Sequence, residues 1–355
     1  EHMNMLMIDT DTTLKEFKNL IQEKYSKHHP RLLVLLGNSA LLLRDEYREL
    51  WGDIPIVLCS EENYIGSQEV YICKQPIVKA DCIPLSQLAD PYNLVHLYSN
   101  LYLQENIQLI YHIVPDMKNF IFIGDERQLN QTNSIEIQSK LKTMNPDIEY
   151  QFITPKKWTT NQLLDSLYFI DPNTTGILFA SWLYKTKFAG NTYLASNAYK
   201  LIVTTSAPIF TLNMADITEE NGGMIGGYTY NQQLIHIVSE ILNGKQAREI
   251  PFYTPSDGVP IINYTILLRK GYSPSMCPPN TCFLNKPLTF WEQNRYFIIG
   301  TLFFILLLAL FFFYRIHNLN IIKKAQQKEI EAMANYKSLI NNMPILYMQE
   351  EVITD

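Results

Sequence analysis

Phe120-Ile-Phe-Ile-Gly-Asp-Glu126 (FIFIGDE) is an apolar run that stops on a glycine and two carboxylates. Four large apolar residues without polar alternation describe a strand covered on both faces, as strands of parallel sheets are. The pattern extends in both directions. Upstream stand Arg31–Leu36 (RLLVLL), ending at Gly37-Asn38-Ser39, and Ile54–Leu58 (IPIVL), leading to Ser60-Glu61-Glu62-Asn63-Tyr64. Downstream stand Tyr150–Ile153, then Ile177–Ala180 (ILFA) ending at Ser181-Trp182, and Pro208–Leu212 (PIFTL) ending at Asn213. Met5–Ile8 reads as a further strand. Between them lie helical stretches: Leu14–Tyr25, with Leu14, Phe17, Leu20 and Ile21 on one face; Ala40–Leu50; Ile135–Met144; Gln162–Tyr168, capped by Thr159 or Thr160; and Gln232–Leu242, closed by Asn243-Gly244. Strands that alternate with helices give βαβ units. The restart after Pro115 predicts two α/β lobes with a boundary near Tyr111 to Lys118.

The second organising feature is Phe297–Phe313 (FIIGTLFFILLLALFFF), uncharged and bracketed by Arg295 and Arg315. With Tyr296 and Tyr314 as interfacial ends it approaches the roughly 20 residues that a helix needs to cross about 30 Å of hydrocarbon. Arg315, Lys323, Lys324 and Lys328 follow it, against Arg295 and Lys286 before it, so the C-terminal side is expected in the cytoplasm and the body outside. Ile316–Ile340 has neither Gly nor Pro and reads as a continuing helix, with Leu319, Lys323, Gln326, Ile330, Met333, Lys337 and Ile340 at 4-3 spacing. Polar residues interrupt that seam, which suits either a shifting helix pair or a solvated linker.

Of 355 residues, 47% are hydrophobic and 18% charged, with net charge −6. This is enough for two cores, and the acidic balance gives no support for nucleic-acid binding. The five cysteines match no zinc spacing; Cys277 and Cys282 enclose Pro-Pro-Asn-Thr, a loop that a disulfide could close. The chain opens without a basic and apolar leader, so both ends are expected to be cut from a longer protein. Gly222-Gly223-Met224-Ile225-Gly226-Gly227-Tyr228 places four glycines in six residues. It spells neither a P-loop nor a dinucleotide fingerprint and reads as a crossover between lobes.

Taken in order, Val114-Pro115 with Lys118 before FIFIG, the PIFT strand, GGMIGGY, the helix ending ILNGK, EIPFY, and NKPLTFWEQNRYF running into the apolar span form a set. That set resembles the ABC-transporter substrate-binding-protein-like sensor domains of bacterial membrane receptors, over roughly Met5–Trp291. The resemblance implies a type I periplasmic-binding fold whose first strand and helix would precede Met5. It implies a first lobe over 1–114, a second over 115–225, and a return to the first over 226–291. A transmembrane helix over 296–314, a signalling helix over 315–340 and a PAS-like start over 341–355 would follow. The protein would sit once across the inner membrane, body periplasmic.

No Gly-x-Ser-x-Gly elbow or His-Glu-x-x-His motif occurs, and no catalytic residue, metal or cofactor is expected. His28-His29 read as surface, and His96, His112 and His236 as packing. Ligands of open parallel sheets bind beyond the carboxyl ends of the strands. The expected ligand-binding residues are therefore Asn38, Ser39, Glu61, Asn63, Tyr64, Asp125, Ser181, Trp182 and Asn213, with Tyr228 near the crossover. They suit a small polar ligand, with Trp182 and Tyr64 as stacking surfaces. The whole reads as the sensing region of a receptor, foremost a two-component histidine kinase that dimerises through the juxtamembrane helix and addresses a response regulator through a separate output domain. A tethered solute-binding component of a transporter, or a diguanylate cyclase sensor, are the alternatives.

Overall fold

The computed structural model describes residues 1–183, 206, 208–212, 223–226, 230–255 and 257–342. The chain divides into two units, Glu1–Lys286 and Pro287–Asp355. In the first unit, helix α1 (Asp11–Tyr25) starts at a capping box made by Thr10 and Thr13. Strand β1 (Leu33–Leu36), helix α2 (Arg44–Trp51), strand β2 (Ile56–Ser60), the short strands β3 (Tyr64–Ile65) and β4 (Ile83–Pro84) around helix α3 (Gln68–Ile72), and strand β5 (Leu94–Tyr98) complete the first lobe's frame. β1, β2 and β5 form a parallel sheet in that order, with Ile56 opposite both Leu33 and Leu94.

Period-two geometry gives β2 two buried faces. Ile56 and Leu58 pack with Leu14, Ile21, Leu41 and Leu43 on one side. On the other, Val57 and Cys59 meet Ile237 and Ile241 of helix α7 (Tyr230–Leu242). The edge strand β1 departs from the expected double cover: Val34 and Leu36 are 43% and 74% exposed, because no element packs on that face among the described residues.

The second sheet has seven strands. β6 (Asn119–Ile123), β7 (Glu149–Ile153), β8 (Thr175–Phe179), β9 (Ile209–Thr211), β10 (Gly223–Gly226), β11 (Val259–Asn263) and β12 (Cys282–Leu284) take the order β12-β11-β10-β9-β8-β6-β7. Every pairing is parallel except β10 with β11. Phe120, Phe122, Leu178 and Phe210 point towards helices α4 (Leu103–Ile113) and α5 (Gln128–Met144). Ile121, Ile123, Ile177 and Phe179 point towards helix α6 (Thr160–Tyr168), whose start Thr159 caps as expected. Burying each such phenylalanine contributes about 1.5–3 kcal/mol. Helix α4 lies so close to β8 that a Cβ on Gly176 would sit 2.4 Å from both Ile110 and Met117 side-chain atoms.

Several expectations need correcting. Met5–Ile8 is a turn rather than a strand: the Asn4 carbonyl accepts from Met7 and Ile8, and its side-chain oxygen from Leu6. Ala40–Leu50 splits into a 3-10 helix, Asn38–Leu43, followed by α2. The glycine run supplies β10, where Gly223 has φ +152° and a Cβ would meet the Ile261 carbonyl oxygen at 2.7 Å. EIPFY forms only a single bridge, Tyr253 to Leu97. The first lobe ends before the predicted 114/115 boundary, because the apolar face of α4 packs on the second sheet. The return after 226 is also partial. α7 and Tyr253 join the first sheet, whereas β11 and β12, with helix α8 (Tyr264–Arg269) between them, lie in the second.

In the second unit, Thr289 and Glu292 form a reciprocal cap at 3.2 Å and 2.8 Å. It opens helix α9 (Phe290–Asn342), 53 residues without a break. The helix is long and apolar enough to cross a membrane, and none of its apolar window is buried by protein. The PAS-like start falls largely on residues outside those described.

Candidate functional site

Two hydrogen bonds bring the carboxyl ends of the two sheets together. Gln128, at the start of α5, donates from Nε2 to Glu62 Oε1 at 2.9 Å. One turn on, Thr132 Oγ1 accepts from the Ile77 backbone N–H at 2.9 Å. Glu62 and Ile77 belong to the first lobe and α5 to the second, so these two bonds join the lobes where β2 and β6 end.

On the second-lobe side, Asp125 is fully buried and saturated. Its Oδ1 accepts from the Arg127 backbone N–H at 2.9 Å, Arg127 Nε at 3.0 Å and Asn130 Nδ2 at 3.0 Å. Its Oδ2 accepts from Ser181 Oγ at 2.8 Å and lies 2.8 Å from Arg127 Nη2. A carboxylate with this many donors has no capacity left for a ligand; it holds Arg127, whose side chain is 42% exposed, in one orientation. Burial opposes the Arg127 charge, but Asp125, with a smaller contribution from Glu61, outweighs it and raises the guanidinium pKa.

Glu61 and Glu62, at the end of β2, are the contrast. Both are half-buried. Desolvation pushes the Glu61 carboxyl up, opposed by a backbone hydrogen bond and by Arg127. Desolvation also pushes Glu62 up, to about 7, against the single hydrogen bond from Gln128 and with Glu61 adding repulsion. The Tyr64 ring beside them is half-buried, with Lys79 Nζ 5.5 Å from its centroid. Tyr98, at the end of β5, has its hydroxyl pKa raised by burial and then by Glu136, Tyr102, Glu61 and Tyr64. Asn38 is buried beneath this rim, its Nδ2 donating to the carbonyls of Glu62 and Tyr64.

Not every predicted residue serves the cleft. Trp182 is fully buried in the core against α6, and its Nε1 donates to Thr160 Oγ1 at 3.0 Å, so it is packing rather than a stacking surface. Ser181 is committed to Asp125 and Asn130. Ser39 is half-buried, and Asn63 is exposed with its carbonyl accepting from Leu85 N–H. Asn213 and Tyr228 lie outside the described residues. Cys277 and Cys282 stand as free thiols, with burial pushing Cys277 up to about 11. Arg127, Gln128, Thr132 and Tyr98 were not anticipated. Arg127 and Gln128 follow Asp125 so closely that the loop after FIFIG was the available signal.

Ser60 Oγ lies 2.9 Å from His96 Nε2, but both residues are 1% exposed. Burial pushes His96 down to about 4, so it is neutral, packed edge-on to Phe252 at 5.6 Å. Among the described residues no group of three His, Cys, Asp or Glu could hold a metal ion. A cavity of about 530 Å³ between Asn119, Glu149, Phe169 and Thr175 opens at the amino ends of β6, β7 and β8, the opposite end from the cleft.

No family model matches the chain, and no curated protein matches it. Among solved structures, the ABC domain in complex with L-Trp from Streptococcus pneumoniae superposes with TM-score 0.50 at 12% identity, over 76% of this chain and 85% of that one. A ligand-free, open substrate-binding protein with adhesive properties from Clostridium difficile gives 0.49 at 12%, over 77% and 84%. A conserved domain protein from Vibrio cholerae gives 0.49 at 14%, over 76% and 83%. The likeness to the Streptococcus protein is one of fold: parallel sheets flanked by helices, as in periplasmic-binding-like proteins.

Proposed function

We propose that the chain is the extracytoplasmic ligand-sensing region of a single-span bacterial signal-transduction receptor, a two-component sensor histidine kinase. A small polar ligand binds between the lobes. The observation that carries this reading is α9: one unbroken 53-residue helix joins an apolar span to a polar, basic-flanked segment. A helix without Gly or Pro beyond its span can carry a shift or rotation further than a tether requires. The Streptococcus protein of like fold is in complex with L-Trp, a small molecule with a polar end. A ligand that favours the closed lobes would bias this helix only through that difference in affinity. The segment after Tyr314 lies in the cytoplasm and pairs with a second copy.

The test is thermal unfolding of the full chain in detergent against free amino acids, amines and sugars. One chemical class should raise the midpoint, and Glu61→Gln with Tyr64→Ala should remove that rise. If no class stabilises the protein, direct sensing fails. Gln326→Cys cross-linking in membranes then reads the pairing, and its absence would remove the dimer.

A further inference from the structure

Among the described residues, the hydrogen bonds at Glu62 and Ile77 join the lobes, and the chemistry at Glu62 is unbalanced. Glu62 reaches across from the end of β2, and among the described residues its side chain's hydrogen-bond partner on the second lobe is the neutral amide of Gln128. Gln128 is itself buried and braced, its Nε2 also donating to Thr132 Oγ1 at 2.9 Å. Thr132 donates to the Gln128 carbonyl at 3.2 Å and accepts from the Ile77 N–H. These bonds make one connected patch, with two first-lobe groups held by two second-lobe side chains one helical turn apart.

The charge that acts on Glu62 is that of Glu61, and the nearby cations are engaged elsewhere. On its own lobe it has Glu61 beside it, with Tyr71 of α3 and Cys82 near enough to feel its charge. On the facing lobe Arg127 is bound to Asp125, and its remaining influence falls on Glu61. Lys79 lies over the Tyr64 ring. No cation among the described residues is paired with Glu62. Bringing α5 against it removes water and returns only one neutral donor, a poor exchange for a carboxylate and an acceptable one for a carboxylic acid.

We propose that Glu62, Gln128, Thr132 and the Ile77 amide form a latch across the cleft whose closing takes up a proton, so that the lobes close more readily as pH falls. The inference rests on the reading of the cleft as the ligand-binding site and adds a regulator to it: ambient pH sets how often the cleft is closed before any ligand arrives.

The direction follows from linkage. In the limit that opening returns Glu62 to water as an ordinary carboxylate, the closed cleft raises it to about 7. Between these values the closed form keeps a proton that the open form has released, so closure weakens as pH rises through 7. With these limits closure is favoured about tenfold more at pH 6 than at pH 8.

The Ile77 amide reports the latch directly, because its hydrogen bond is one of the interlobe bonds. Hydrogen–deuterium exchange of the full chain in nanodiscs, corrected for intrinsic exchange, should show about tenfold greater protection of Ile77 at pH 6 than at pH 8. Glu62→Gln, nearly isosteric and always neutral, should keep protection high and flat with pH. Gln128→Ala should lower it at both. Wild-type protection that is equal at the two pH values, or a pH change that persists in Glu62→Gln, would overturn the latch. Because no ligand is added, either result leaves the ligand-binding reading to its own test.

Discussion

Asp125 and Glu62 both sit where a buried strand ends, on opposite sides of one cleft, yet their surroundings differ. Asp125 has a guanidinium, a carboxamide, a hydroxyl and a backbone N–H converging on it, and it is fully buried. Glu62 has one carboxamide and a carboxylate neighbour. A buried charge that is paired and hydrogen-bonded holds its surroundings in place, whereas one that is half-buried and scarcely paired is free to change state. The first group organises the site and the second can respond to its surroundings.

Removing the hub should have the largest effect. Asp125→Ala leaves Arg127, Asn130 and Ser181 without their shared acceptor, and chemical unfolding of the full chain in detergent should show a loss of about 3–5 kcal/mol. A loss below about 1 kcal/mol would mean that Asp125 is as loosely held as Glu62. The reverse change on the other side should stabilise. Folding raises the Glu62 pKa, so the folded protein keeps a proton that the unfolded chain releases above its ordinary carboxylate value. Stability therefore falls as pH rises to about 7, and Glu62→Gln should gain about 1–2 kcal/mol at pH 8 and almost nothing below pH 5. A gain independent of pH would break the comparison. The smallest effect sharpens it: Ser181→Ala removes one of several donors to Asp125 and should cost about 1 kcal/mol at any pH between 6 and 8.

Much of the frame is legible along the chain. FIFIG and IPIVL are apolar without alternation because both faces of β6 and β2 are covered, and Thr159 caps a helix through its own side chain. Trp182 misled for a physical reason. A large aromatic after a strand end is the same letter whether it faces a ligand or fills a core, and only α6 and Thr160 settle which.

The sequence by itself determined the apolar strands β1, β2, β6, β7, β8 and β9, the helix α1, the cap of α6 at Thr159 and the uncharged run within α9. These follow from local periodicity and from backbone groups a few residues apart. Only the tertiary structure decided that Asp125 is saturated, that Glu62 meets a neutral partner across the cleft, and that the glycine run pairs as a strand. Charge state and burial depend on atoms brought together from 56 or 66 positions away, and no local pattern encodes that distance.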